Sequence, residues 1–326
     1  VNGDLYPLRF EPVYKDYIWS GTRLANRYRR NIPAGRCAES WEVADRPEGM
    51  SVVQYGPLAG MRLVDLVSQF GSSLVGNAAP KGPFPLLVKI IDAGDKLSVQ
   101  VHPDDNNASA SGGEPKTEMW YTLDCASDAY VYLGFSKTVT PESFRLALDS
   151  GTVEPLLKRH PLAAGDALFV PGGAVHAIGA GCLLLEVQQN SNTTYRVYDW
   201  GRIDAKTGKS RELHVEQAMK VIRWSAPCPA LVRNSQDSSD GTPRRIVESR
   251  HFVFDRYDIA TPLSLRRTGA TFDILFAAEG SAHITAGSGY AELSAGTSCL
   301  VPAALPECRI EPAGQTTILR IALPGM

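Results

Sequence analysis

Three short stretches of the 326-residue chain carry side chains able to hold a cation. The first, residues 96–105, reads Lys-Leu-Ser-Val-Gln-Val-His-Pro-Asp-Asp. On a strand, successive side chains alternate between faces, so Ser98, Gln100 and His102 share one face and Leu97, Val99 and Val101 the other. The apolar face belongs to a core, and the polar face lines solvent or a pocket. In the second stretch, residues 113–121, Lys116 and Glu118 share a face just before Trp120 and Tyr121. A carboxylate beside buried aromatics is costly unless it is paired or bound to a cation, so a local ion pair with Lys116 and a metal site both account for it. The third stretch spaces Gly165, Pro171-Gly172-Gly173 and His176 so that a turn delivers the histidine to the start of a strand. Gln100, His102, Glu118 and His176 together offer two imidazoles and two oxygens, a set suited to a borderline divalent ion such as Zn²⁺.

The elements that must position these groups are mostly strands. Residues 85–91 read as a buried strand, 93–95 as a turn, and 96–102 as a second strand. Further strands are expected around 167–170 and 183–187. Residues 61–74 space Leu63, Leu66, Val67 and Phe70 along one helical face. Thr140-Pro141-Glu142 is a helix start, with a hydroxyl cap, proline at the first position and an acid against the dipole. It opens a helical insert over 140–160, with a shorter helical piece around 153–160. Residues 211–224 are expected to form another helix. Residues 228–243, rich in Ser, Asn, Asp and Gly, form the best linker. The domains expected are therefore 1–235, holding the chemistry, and 243–326, a small all-β domain. Gly165 to Pro171 is echoed by Gly296 to Pro302, and five residues beyond each proline stand His176 and Glu307. This weak repeat points to two related β-barrels, only the first keeping a histidine.

Composition removes several classes of function. Lys plus Arg number 33 against 35 Asp plus Glu, a balance that argues against nucleic-acid binding. No run of 18 apolar residues exists, so no membrane span is expected, and the opening residues lack a signal-peptide stretch. The six cysteines (37, 125, 182, 228, 299 and 308) form no C-x-x-C pair and are expected to be reduced thiols in a cytoplasmic protein. Glycine (29) and proline (22) favour a turn-rich β protein over a helix bundle.

These spacings resemble the cupin barrel. Gly94-x5-Gln100-x-His102 followed by Glu118 and Gly134 is similar to its first motif, with glutamine in place of the first histidine. Gly165, Pro171, Gly173 and His176 match its second, with Ala180 in place of the final asparagine. More narrowly, Gln100-Val-His102-Pro-Asp, Lys116-Thr-Glu118-Met-Trp120 and Pro171-Gly-Gly-x-Val-His176 resemble type I mannose-6-phosphate isomerases of the short bacterial form. Glu39-Ser-Trp41-Glu and the segment from Glu186 to Trp200 extend the likeness over most of residues 5–224. The resemblance implies a mainly β bicupin with helical insertions. It also implies one Zn²⁺ held by Gln100, His102, Glu118 and His176. Arg196 is implied as the catalytic arginine, Lys116 as a substrate-site lysine, and Ser98 as a lining of the sugar-phosphate pocket.

Asn192 stands where many relatives carry an aspartate four residues before the arginine, which makes Glu186 or a metal-bound water the expected proton carrier. The reaction implied interconverts mannose 6-phosphate and fructose 6-phosphate by moving a proton between C1 and C2 through an enediol(ate). Lys116 then helps shuttle protons if burial and the nearby zinc lower its pKa, and Arg196 faces the developing anion with a charge that does not titrate away, against a structural salt bridge with Asp199 or Glu186. Arg202 is a further candidate for gripping the phosphate, against a solvated surface arginine. The partner expected is a small sugar phosphate, with no nucleic acid or membrane, and the protein a monomer or small homo-oligomer. Two other readings compete: an Fe- or Mn-dependent cupin oxygenase, and a non-catalytic sugar-phosphate-binding bicupin.

Overall fold

The run Leu86–Ala93, Leu-Leu-Val-Lys-Ile-Ile-Asp-Ala, is buried at every position, as a strand covered on both faces must be. Its one lysine is therefore a buried charge. The structure, a computed structural model, describes residues 4–205, 207–227, 229–234 and 240–325. They form two compact units: one of 14–40 and 89–234, the other of 1–13, 41–88 and 235–326, as far as these are described. The chain passes between them near residues 13, 40, 88 and 234. The spatial units group 1–13 and 41–88 with 235–326, which a reading along the chain does not anticipate.

In the first unit the strands are β1 (Val13–Lys15), β2 (Glu39–Val43), β3 (Leu86–Ala93), β4 (Val99–Val101), β5 (Glu118–Cys125) and β6 (Tyr130–Phe135), then β7 (Leu157–Pro161), β8 (Ala167–Val170), β9 (His176–Ile178), β10 (Cys182–Gln189), β11 (Tyr195–Tyr198) and β12 (Leu231–Val232). One sheet runs β1-β2-β3-β10-β5-β8-β12, and the chain leaves the unit within its first three strands. The other runs β11-β4-β9-β6-β7. Val99 and Val101, both fully buried, pack with Phe144, Val197 and Val221 beneath the helices Pro141–Asp149 and Val215–Val221. Each such side chain contributes roughly 1.5–3 kcal/mol. Ser98, Gln100 and His102 then take the opposite side, as the alternation predicts. Leu97 does not follow it: the strand begins only at Val99, and Leu97 packs instead with Trp19 and Trp120.

Several expected elements are shorter than the pattern suggests. The helix Pro141–Asp149 is capped by Thr140, whose hydroxyl accepts from the Ser143 N–H, with proline at its start. Residues 154–156 form only a 3-10 turn, and 157–161 are strand β7 rather than helix, because they pair antiparallel with β6. The expected helix over 211–224 is confined to Val215–Val221; before it, Arg211 is held in ion pairs. Residues 61–74 make two short helices, Leu63–Phe70 and Ser72–Val75, broken at Gly71, whose φ of 48° and ψ of −126° suit glycine alone. Part of the expected linker is strand β12, which pairs with Ala167 and Leu168. Cys228 and residues 235–239 lie outside the described residues. The other five cysteines are free thiols.

The second unit holds β13 (Arg244–Glu248), β14 (Val253–Ile259), β15 (Leu263–Arg266), β16 (Asp273–Glu279) and β17 (Ser281–Ala286), then β18 (Gly289–Ser294), β19 (Thr297–Val301), β20 (Glu307–Pro312) and β21 (Thr316–Ala322). They form the sheets β13-β14-β21-β16-β19 and β15-β20-β17-β18. In β17, buried Ala282, Ile284 and Ala286 alternate with half-buried residues, the mark of a sheet with one solvated face. The two echoed segments fold alike locally. Each yields a strand (β8, β19) ending at proline, and the next strand begins at His176 or Glu307.

Candidate active site

Strand register sets the first row of the site. Gln100 on β4 lies opposite His176 on β9 and opposite Arg196 on β11, so the three residues stand side by side across neighbouring strands. Glu118 opens β5 in the other sheet, opposite Val170 and Gln188. Glu186 on β10 lies opposite Trp120. Residues scattered over nearly a hundred positions thus face one another between two sheets of one unit.

The donors converge closely. His102 Nε2 lies 3.4 Å from Glu118 Oε2, and His176 Nε2 lies 3.5 Å from Glu118 Oε1. Gln100 Nε2 is 3.2 Å from His176 Nε2. Tetrahedral zinc, with bonds of about 2.0–2.2 Å, separates its donors by about 3.3–3.6 Å, and the spacing found agrees. All three of His102, Glu118 and His176 are essentially fully buried, and neither Glu118 oxygen has a hydrogen-bond partner among the described residues. His176 Nδ1 stands 2.9 Å from the Ala174 carbonyl, so the ring donates there and leaves Nε2 as the free donor atom. The amide of Gln100 presents nitrogen or oxygen according to a simple flip.

Electrostatics keep this set ready for a cation. Burial, reinforced by the charge of Lys116, pushes the His102 pKa down to about 3. Burial lowers that of His176 as well. Both rings are therefore neutral. Burial alone would raise the Glu118 pKa, but Lys116 and the two histidines outweigh it and hold the carboxyl well below its usual range. Two neutral imidazoles and an ionised carboxylate whose one cationic neighbour is Lys116 form a donor set that fits a divalent ion.

Beside the donors lies a cavity of about 360 Å³. Its wall carries Lys89, Lys116, Arg196 and Arg211 against two carboxylates, Glu39 and Glu186, together with Ser98, Gln100 and Asn192. Lys116 Nζ is 2.8 Å from Glu118 Oε2, 3.2 Å from His102 Nε2 and 3.4 Å from Glu186 Oε1. Glu186 Oε1 is also 3.2 Å from Lys89 Nζ, and its Oε2 accepts from Trp120 Nε1 at 3.1 Å. Burial, then the charge of Glu118, raises the pKa of Glu186. Burial opposes the charge on Lys89, but Glu186, Glu39 and Glu118 together hold its pKa above the usual range.

Arg196 Nε donates to Ser98 Oγ at 3.3 Å and its Nη1 to the Glu212 carbonyl at 2.8 Å. Arg202 is not part of the cavity wall. Its Nη2 pairs with Asp199 at 2.6 Å and its Nη1 with Asp95 at 3.1 Å, because an aspartate three residues earlier captures the guanidinium. Arg211 and Lys89, which the sequence reading passed over, do line the cavity. Lys89 had a visible signal, a lone charge inside an apolar run. Arg211 had none.

Comparison with known proteins bears on this arrangement. Residues 7–128 match the model for the catalytic domain of phosphomannose isomerase type I, and residues 243–322 that for the cupin domain of mannose-6-phosphate isomerase. Mannose-6-phosphate isomerase ManA of Bacillus subtilis is 37% identical over 311 residues, covering 94% of this chain and 96% of the relative. The chain belongs to the type I phosphomannose isomerase family. A probable mannose-6-phosphate isomerase, GmuF of the same organism, is 38% identical over 94% of this chain and 96% of its own length. The crystal structure of the Bacillus subtilis mannose 6-phosphate isomerase superposes with a TM-score of 0.86 at 32% identity, covering 97% of this chain and 99% of that one. The mainly β fold and the cupin domain expected from the motifs agree with these family matches. No helix among the described residues is long and apolar enough to cross a membrane.

Proposed function

We propose that the protein interconverts mannose 6-phosphate and fructose 6-phosphate, using one Zn²⁺ and proton transfer between C1 and C2 through an enediolate. The observation that carries this reading is the placement of His102, Glu118 and His176 beside a cavity walled by two buried carboxylates and four cations. Gln100, His102, Glu118 and His176 would hold the ion. When bound, it supplies Lewis acidity toward the substrate's oxygens.

Glu186 is the base that exchanges the carbon-bound proton. It is the better placed of the two wall carboxylates, with two lysines at Oε1, the Trp120 N–H at Oε2, and a raised pKa that suits it to take and return a proton. The amide of Asn192 cannot take that role. Lys116, within reach of both Glu118 and Glu186, moves the oxygen-bound proton. Arg196 balances the charge that develops on the enediolate, and Ser98 fixes its orientation by accepting from Nε. In this reading, residues 1–235 supply the chemistry along the chain, and 243–326 form a second, metal-free cupin-like domain.

The test is a coupled assay for fructose 6-phosphate formation from mannose 6-phosphate. The wild-type protein turns over, and Arg196→Ala loses about 10²–10³ in kcat while keeping its metal and its unfolding midpoint. An Arg196→Ala protein with wild-type turnover removes Arg196 from the mechanism. A wild-type protein that binds the sugar phosphate without converting it makes the chain a binding protein instead.

A further inference from the structure

The cavity wall is not uniform along its length. At one side, Gln100 touches His176 of the donor cluster. Next in the strand register comes Arg196, opposite Gln100. Beyond it stand Arg211 and Asp199. The Asp199 carboxylate, 6% exposed, receives Arg211 through Nε at 2.8 Å and Nη2 at 2.6 Å, and Arg202 through Nη2 at 2.6 Å. Two guanidinium groups, of residues 202 and 211, therefore clamp one buried carboxylate, and Arg196 lies within reach of their charge. Arg196 senses this excess: burial, then the charge of Arg211, lowers its pKa.

The hydrogen bonds divide the three arginines. Arg202 has Nη1 and Nη2 engaged and does not line the cavity. Arg211 is a wall residue, clamped by two parallel bonds, and its Nη1 makes no hydrogen bond among the described residues. A cavity-wall guanidinium held rigidly on one edge, with one nitrogen outside those bonds, is built to receive an anion.

We propose that Arg211, fixed by Asp199, is the phosphate-recognition residue, and that it sets the direction in which the sugar lies. The inference rests on the sugar-phosphate reading of the cavity. The phosphate goes to Arg211, and Arg196 stands between it and the donor cluster. The carbons nearest the donors are then C1 and C2, at the opposite end of the hexose from a 6-phosphate. Glu186 and Lys116 adjoin the donors and not Arg211, which agrees with this polarity.

The test compares wild type with Arg211→Met and Arg211→Lys, using mannose 6-phosphate as substrate and inorganic phosphate as a probe. For Arg211→Met, KM and the inhibition constant of phosphate should both rise about 10- to 100-fold, with kcat within about threefold of wild type. Arg211→Lys should recover part of both, and thermal unfolding shows whether each variant is folded. A folded Arg211→Met with wild-type KM and wild-type phosphate inhibition overturns the assignment. Phosphate binding followed by calorimetry separates this result from the isomerase reading. If wild type binds phosphate but converts no substrate, and Arg211→Met binds none, the anion site stands and the isomerase reading falls.

Discussion

The two units differ in how completely they answer their buried polar atoms. In the unit of β13–β21, Asp255 and Asp273 are buried and fully answered: Arg320 bonds to both, Arg245 to Asp255 and Arg267 to Asp273. Arg267 directs its remaining donors to the carbonyls of Thr271, Val301, Pro302 and Leu305, so no part of its guanidinium is left over. In the unit of β4–β12, buried side-chain atoms without hydrogen bonds accumulate, on Asp92, His102, Glu118, Glu186 and Arg202 among others. Among the described residues, all such atoms belong to 89–234. Native proteins leave few buried polar groups unanswered. A completed network stabilises a fold, whereas the open atoms of His102, Glu118 and Glu186, gathered beside one cavity, suit the binding of a cation. The echoed segments show the same contrast in one residue: the first delivers His176 to full burial beside Gln100 and Glu118, the second delivers Glu307 to solvent.

The largest effect that can break this comparison is at Glu118. Glu118→Gln should lose roughly 10³-fold or more in turnover and lose stoichiometric metal, with its unfolding midpoint near wild type. A loss under tenfold would mean that the open carboxylate is not a ligand. The reverse pattern is expected at Arg267. Arg267→Met should cost about 3–5 kcal/mol in denaturant unfolding, with kcat per folded molecule unchanged. A variant as stable as wild type would show that the paired network does not hold that unit together.

Asp92 offers a pH-dependent test within the first unit. Burial raises its pKa from 3.8 to about 6, although the Leu24 N–H bonds to it. The folded state thus favours the protonated acid. That contribution is fully present below about pH 4 and is lost as pH rises through about 6. The stability of Asp92→Asn relative to wild type should therefore climb by up to about 3 kcal/mol between pH 4 and 7 and stay flat above. A difference that does not change with pH contradicts the raised pKa. The smallest effect should be at Glu307, where Glu307→Ala is expected to stay within about 0.5 kcal/mol of wild type with unaltered turnover. A clear loss of activity would give the second echo a chemical role.

Much of the donor cluster was legible because strand alternation is strict. Gln100 had to face away from Val99 and Val101, with Ser98 and His102 flanking this three-residue strand, and the Pro-Gly-Gly turn delivers His176 to a strand. Helix extents were less legible, since apolar spacing cannot see a competing strand pairing at 157–161 or the ion pairs that hold Arg211 outside its helix. Arg202 and Arg211 could not be ranked from sequence at all. Both lie near Asp199 in the chain, and only the direction in which each guanidinium is held separates them. The grouping of 1–13 and 41–88 with 235–326 was invisible for a similar reason, because long-range packing leaves no local pattern.

The claim on which the rest depends is that an ion held by Gln100, His102, Glu118 and His176 is needed for turnover. It is tested most directly by removing metal from the whole protein with a chelator, then measuring metal content and mannose 6-phosphate isomerisation together during stepwise return of Zn²⁺. Turnover should vanish with the metal and return linearly, reaching its plateau at one ion per chain. Undiminished turnover in protein shown to be free of metal contradicts that claim.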